Sequence, residues 1–402
     1  MKTTAQHMLS TRVALMSESA TLRMSKKARQ LKAQGHDVIS LSLGEPDFDT
    51  SQHIKDAASE ALKNGYTKYT PVSGLPDLVD AIKIKFARDN DLHFESNQIV
   101  VSNGAKQCIA NICLSILNPG DEIILFTPYW VSYFDIVSFA GGTPIKLSAG
   151  IKSDFKVTPD MLEKAINHKT KAILFSSPCN PTGSVYTRSE LEGLAEVISK
   201  HKNIVVISDE IYEYINFTGQ HASIGAIQSM RDRTVTVNGM SKGFAMTGWR
   251  LGYMGGPQWL MAACTKVQGQ FTSGAASFSQ KAAAHALLAD LDETYDMREA
   301  FLQRRDKIIG WLQEIPGFNV NHPTGAFYIF PDISSYFGKT NGSVVIDDSN
   351  DFAELLLEGA HVATVAGSAF GNDKCIRISY AASEDQLKEA TRRIAECLKE
   401  FS

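Results

Sequence analysis

Ile204-Val-Val-Ile-Ser-Asp-Glu-Ile-Tyr212 is the stretch on which the architecture turns. Four β-branched aliphatic residues in succession leave no polar side for water, so the run reads as a strand covered on both faces. Just upstream, residues 188–200 have helical spacing, and before them 172–176 is another apolar run. Downstream, 234–237 and 251–255 carry the same strand signature, and toward the N-terminus so do 143–147, 122–126 and 98–102. Helical stretches at 105–117 and 158–167 separate several of these runs. Strands alternating with helices of this length predict βαβ units and a mostly parallel, seven-stranded sheet.

The two ends of the chain read differently. Residues 1–45 hold a helical stretch bearing Arg and Lys, then a strand at 38–43. From Tyr295 onward come a long polar helix, short strands at 326–330 and 376–379, and a final helix from Glu384. The expectation is an α/β protein whose large domain spans 46–295. Residues 1–45 and 296–402 then form a smaller α+β domain built from both termini.

Bulk properties exclude more than they assign. The 402 residues are 44% apolar and 21% charged, the profile of an ordinary soluble protein. A formal net charge of −4 offers nothing to nucleic acid. The six cysteines are scattered, with no C-x-x-C pair and no Cys/His spacing for zinc, so reduced thiols, no metal and a cytoplasmic location are expected. Met1 to Ser10 lacks a signal-peptide core, and no run of about 18 apolar residues predicts a membrane span.

Function must be read from sites, and five islands fall where predicted strands end, the place where open α/β sheets bind ligands. Asn238-Gly-Met-Ser-Lys-Gly-Phe-Ala-Met-Thr-Gly-Trp-Arg250 puts Lys242 among small residues just past a strand, with Arg250 eight positions on. A deprotonated lysine forms an imine with an aldehyde, and the arginine fork suits phosphate. Taken alone, the pair reads better as a surface lysine and a structural arginine. Asp209 ends the opening strand, where a buried acid needs a cationic partner such as a protonated pyridine, and Tyr212 could face the same ring. The other reading of Asp209 is a helix N-cap. Ser177-Pro-Cys-Asn-Pro-Thr-Gly183 would present Asn180 rigidly, or be an ordinary turn, the better reading in isolation. Ser102-Asn-Gly-Ala-Lys-Gln107 opens a helix whose first N–H groups attract anions, a weak signal by itself. Arg377, inside the apolar strand Ile-Arg-Ile-Ser, needs a carboxylate, either from a ligand or from an internal salt bridge, at even odds.

Together, and in this order and spacing, these islands resemble the class I aminotransferases of fold type I, nearest the bacterial aspartate aminotransferase branch. The resemblance runs from Ser10-Thr-Arg12 through Leu43-Gly-Glu-Pro-Asp-Phe48 to Arg377-Ile-Ser-Tyr380. It implies pyridoxal 5′-phosphate as cofactor, held as an internal aldimine by Lys242, which then moves the Cα proton. It implies Asp209 on the pyridinium nitrogen, Tyr212 and Asn180 on the ring's phenolic oxygen, and Trp130 stacked on the ring. Gly104, Ala105 and Arg250 would hold the phosphate. Arg377 would grip the substrate α-carboxylate, with Gly44 beside it. Tyr69 would reach the phosphate of a neighbouring subunit, which makes the protein a homodimer with shared active sites.

The implied reaction transfers the amino group of L-aspartate to 2-oxoglutarate, giving oxaloacetate and L-glutamate by ping-pong half-reactions. The small molecules it meets are therefore amino acids and 2-oxo acids. Lys106 occupies the branch position that contacts a distal substrate carboxylate, though a lysine in that turn also reads as a solvated surface residue. Arg12 would face the substrate entrance. The stretch Leu15-Met-Ser-Glu-Ser departs from the usual Lys-Pro-Ser ending and counts against prephenate as an acceptor. The alternatives are a relative with other substrates (glutamate–prephenate or aromatic aminotransferase) or a β-lyase on the same fold. A ligand sensor fused to a DNA-binding module is disfavoured, since the small-domain segment starts at once and the charge balance is acidic. A nicotinamide-binding protein is rejected because Ser-Asn-Gly-Ala-Lys-Gln is not G-x-G-x-x-G.

Overall fold

The structure is a computed structural model that describes residues 8–14 and 16–401. Part of the leader reading (residues 1–7) and Leu15 of the N-terminal stretch lie outside the described residues. In chain order the strands are β1 (Ile39–Ser40), β2 (Ile99–Ser102), β3 (Glu122–Thr127), β4 (Thr143–Ser148), β5 (Thr170–Ser176) and β6 (Val205–Asp209). They continue with β7 (Thr234–Gly239), β8 (Gly252–Gly255), β9 (Tyr328–Ile329), β10 (Val362–Ala363), β11 (Val365–Ala366) and β12 (Ile376–Ser379).

Seven of these form one mostly parallel sheet, as the sequence predicts, and their order is β2-β8-β7-β6-β5-β3-β4. All neighbours run parallel except β8, which is antiparallel to both β2 and β7. β6 shows why the sheet forms. Val205 and Ile207 pack on one face, with Ile109 and Ile112 of helix Ala105–Ile116. Ile204 and Val206 pack on the other, with Leu191, Leu194 and Ile198 of helix Arg188–Ser199. Each such side chain contributes roughly 1.5–3 kcal/mol on full burial. Local signals start the helices: Thr187 and Glu190 form a reciprocal capping box, and Thr158 caps helix Pro159–Ala165.

The remaining strands make two smaller sheets, the parallel pair β1-β10 and the antiparallel set β11-β12-β9. Around them Ile39, Phe301, Phe327, Ile378 and Leu387 share a second core with helices Asp292–Gln313 and Glu384–Leu398. Residues 39–40 thus pair with residues 362–363, from opposite ends of the chain. Helix Ser132–Phe139 lies between β3 and β4, where no helix is expected from the residues. Its Tyr, Phe, Ile and Val are individually strand-prone, and packing of Tyr133 and Val137 into the core decides the matter. Among the described residues no helix is long and apolar enough to cross a membrane.

Candidate active site

The parallel strands converge on one edge of the large sheet. β5, β6 and β7 end there at Ser176, Asp209 and Gly239, while β2 feeds helix Ala105–Ile116. Because β8 runs backwards, it begins at that same edge, and Arg250 arrives there just before its first residue. Around this edge lies a cavity of about 400 Å³. Lys242, Asp209, Tyr212, Asn180 and Trp130 line it, as do Ala105, Lys106, Arg250, Gly44 and Arg377. Residues from five separate islands therefore face one space.

Gly104 stands immediately behind. Its φ of 87° favours glycine, and a methyl group there would lie 2.6 Å from Arg250 Nη2. Gly104's own N–H donates to the Ser102 carbonyl at 2.8 Å, so the amides at the helix start without a partner among the described residues are those of Ala105 and Lys106. Gly252 completes the cradle: a Cβ on it would come within 2.3 Å of Ala105 N. Tyr69 does not reach this cavity; its side chain is 100% exposed. Arg12 lies in the short exposed helix Thr11–Ala14, also away from the lining.

Burial sets the electrostatics. It pulls the Lys242 amine down to about 8, with the Arg377 and Arg250 charges adding and Glu45 and Asp209 opposing. The Lys242 amine donates to the Gly44 carbonyl. Burial pushes the Asp209 carboxyl up to about 6, although Tyr133 Oη donates to its Oδ2 at 2.6 Å and Ile211 N–H to its Oδ1 at 3.2 Å. No helix follows Asp209, so the N-cap reading falls. The Tyr212 phenol shares a 2.7 Å hydrogen bond with Tyr328 and is raised well above 10, chiefly by burial.

Arg377 is only 1% exposed and pairs with no carboxylate among the described residues, which removes the salt-bridge reading. Its Nη1 donates to Asn180 Oδ1 at 3.0 Å and its Nη2 to the Ser42 carbonyl at 2.6 Å, while Nε has no partner. The rings of Tyr328 and Phe370 lie 4.6 and 5.0 Å from its guanidinium. A buried cation with an unsatisfied N–H and only neutral neighbours is costly unless an anion joins it. Lys106 sits with its ammonium 4.9 Å from the Trp130 ring centroid, and desolvation and the Arg250 charge hold its pKa down.

The sequence reading missed Tyr133 and Tyr328, which touch Asp209, Tyr212 and Arg377 directly. Neither stands in a charged or glycine-rich motif. The available signals were the three-residue step from Trp130 to Tyr133 and the turn Pro323-Thr-Gly325 leading into β9.

What the cavity offers chemically is a partly neutral amine between two arginines, with a buried acid and three phenols on hand. Known proteins are similar to this chain in sequence and fold. The family model for aminotransferase class I and II matches residues 36–394. A bifunctional aspartate aminotransferase and glutamate/aspartate-prephenate aminotransferase of Petunia hybrida is 46% identical over 97% of this chain and 82% of its own. An aspartate/prephenate aminotransferase of Cereibacter sphaeroides is 46% identical over 96% of this chain and 97% of its own. The crystal structure of the aspartate aminotransferase from Rhizobium meliloti superposes with a TM-score of 0.95 at 42% identity, covering 98% of this chain and 99% of that one. With a family match across most of its length and relatives this similar, the chain belongs to the class I and II aminotransferases.

Proposed function

We propose that this aminotransferase uses pyridoxal 5′-phosphate to move the amino group of L-aspartate to 2-oxoglutarate, working as a cytoplasmic homodimer. The observation that carries the reading is Arg377, a buried cation lacking an anionic partner in the same cavity as a lysine amine lowered to about 8. The residues fit the cofactor. Arg250 and the amides of Ala105 and Lys106 surround a glycine-lined cradle suited to phosphate, and Asp209 waits in burial for a cationic partner.

When bound, the cofactor supplies the electron sink that makes the substrate's Cα proton labile. The protein does the rest. Lys242 provides the amine and then carries the proton, a role for which a pKa near working pH is best. Asp209, held by Tyr133, would stabilise positive charge on the cofactor's ring nitrogen, Trp130 would cover the ring, and Tyr212 and Asn180 would donate to its phenolic oxygen. Arg377 orients the substrate α-carboxylate, with Gly44 beside it, and Lys106 receives the distal carboxylate. The fully exposed Tyr69 would hold the cofactor phosphate of a second copy. Residues 46–295 make the cofactor domain, and residues 1–45 with 296–402 the small domain that closes over substrate. The pairing of β1 with β10 supports that division.

Half-reactions test the reading. The visible absorbance of the bound cofactor should convert when aspartate or glutamate is added alone, and 2-oxoglutarate should restore it. A response confined to other amino acids would remove aspartate as donor, and turnover needing no 2-oxo acid would favour a lyase. Prephenate is the second acceptor to try, because two relatives at 46% identity carry it in their names.

Arg377→Lys tests the carboxylate site. Losing the fork should cut kcat/KM for aspartate by roughly 10²-fold, since hydrogen bonds to charged groups contribute about 1.5–3 kcal/mol. An unchanged kcat/KM in steady-state assays would place this arginine outside the substrate site.

A further inference from the structure

Behind the strand end that carries Asp209 lies a buried polar network with no part in the reaction described above. Glu210 and Glu213 are 1% and 5% exposed. Glu210 Oε1 accepts from Ser208 Oγ at 2.8 Å; its Oε2 accepts from His221 Nε2 at 2.8 Å, Ser223 Oγ at 2.5 Å and Asn90 Nδ2 at 3.0 Å. The Asn90 amide also donates to Glu213 Oε2 at 2.7 Å and accepts from Lys85 Nζ at 2.6 Å. Lys85, itself fully buried, forms an ion pair with Glu213. Glu210, Glu213 and His221 lie close enough together to hold a metal ion. The charges argue otherwise: two carboxylates face Lys85 and His221, three of the four glutamate oxygens already accept hydrogen bonds, and the fourth, Glu213 Oε1, faces the Lys85 ammonium. The set is neutral only when His221 is protonated.

Its position gives it a second consequence. Glu210 follows Asp209 directly, and Glu210 and Glu213 bracket Ile211 and Tyr212, so the network grips from behind the turn whose other side chains face the cavity. We propose that His221 is a positioning residue for the Asp209 carboxylate: its imidazolium cancels the charge of Glu210 and, with Asn90 and Lys85, clamps the turn that presents Asp209 and Tyr212. The proposal rests on the functional reading only for its consequence in turnover, because its effect on Asp209 belongs to the cofactor-free protein as well.

The neighbouring groups support an imidazolium. Glu210 and Glu213 face His221 from the turn after β6, and Lys85 and Asp89 from helix Pro76–Asn90; Tyr214, Tyr295 and Arg298 share the adjoining depression. Burial opposes the charge, but the two carboxylates outweigh it and raise His221 above the ordinary 6.5. The stabilisation from this pair is therefore complete below pH 6.5 and is lost as pH rises through the higher folded value. The Glu210 charge, for its part, adds to the influences that raise Asp209.

The test follows the Asp209 carboxyl by carbon-13 NMR in cofactor-free protein, comparing wild type with His221→Gln and Glu210→Gln. His221→Gln keeps a donor but removes the charge, and should raise the Asp209 midpoint by about one pH unit, the scale of one uncompensated close charge. Glu210→Gln should lower it, so the two variants report in opposite directions and either one that folds decides. In reconstituted protein His221→Gln should reduce kcat several-fold with the aspartate KM nearly unchanged. An Asp209 midpoint unmoved in the variants, with only a lower melting temperature, makes His221 a purely structural residue and overturns the proposal. If wild type formed no cofactor absorbance, the functional reading would fall while the Asp209 titration still decided this one.

Discussion

Lys242→Ala should abolish the visible absorbance of bound cofactor and lower kcat by at least ~10⁴-fold, the upper range for one positioned acid–base group. The expectation comes from the amine's setting. It is half-buried, close to Arg377 and Arg250, and donates to a backbone carbonyl rather than to a carboxylate. With a pKa near 8, roughly half of it is neutral at pH 8, against well under 1% for an ordinary lysine near 10.4. Stopped-flow recombination of cofactor with wild-type apoprotein should accordingly quicken as pH rises through about 8. A midpoint near 10 would mean that burial does not tune this amine. Retained absorbance in Lys242→Ala, trapped by borohydride at another lysine, would reassign the nucleophile.

Asp209→Ala should behave differently, keeping cofactor while losing turnover. Lys242, Arg250 and the helix-start amides remain to bind it, but a buried cation on the ring would face no counter-charge. Breaking such a pair costs about 3–5 kcal/mol, or roughly 10²–10⁴-fold in rate. Tyr133 would lose its acceptor as well, so Asp209→Asn, which keeps an oxygen for it, separates the loss of charge from the loss of the hydrogen bond. Near-normal kcat with bound cofactor in both variants would remove Asp209 from the chemistry.

What could be read from sequence followed from how each feature is encoded. β6 announces itself because a strand buried on both faces has no polar alternation, and its terminal acid stands out against that run. Most of the ten assigned residues at the cavity close or follow a strand, a place fixed by topology, whereas Arg250 stands just ahead of β8 and Arg377 inside β12. The antiparallel direction of β8 has no comparable signature, since the same Gly-Tyr-Met-Gly suits either direction. Tyr133 and Tyr328 stayed hidden because a phenol in an apolar context reads as core until its hydroxyl partner is seen. The Lys85–Glu213 pair was equally silent: its members are 128 positions apart and meet only through folding.

The pairing of Ile39 with Val362 has a consequence for how the molecule is made. More than three hundred residues separate the partners, and at 5–20 residues per second the ribosome needs on the order of tens of seconds to deliver the second. By then β2 to β8 have emerged, with Asp209, Lys242 and Arg250 at their edge, whereas Tyr328 and Arg377 come late. Helix Ala20–Ala33 and Ile39 are synthesised long before β10 and β11, which cover Met24 and Ala28. The nascent chain therefore exposes an unmatched apolar segment throughout that interval, a handle for chaperones that disappears once β10 and β11 arrive.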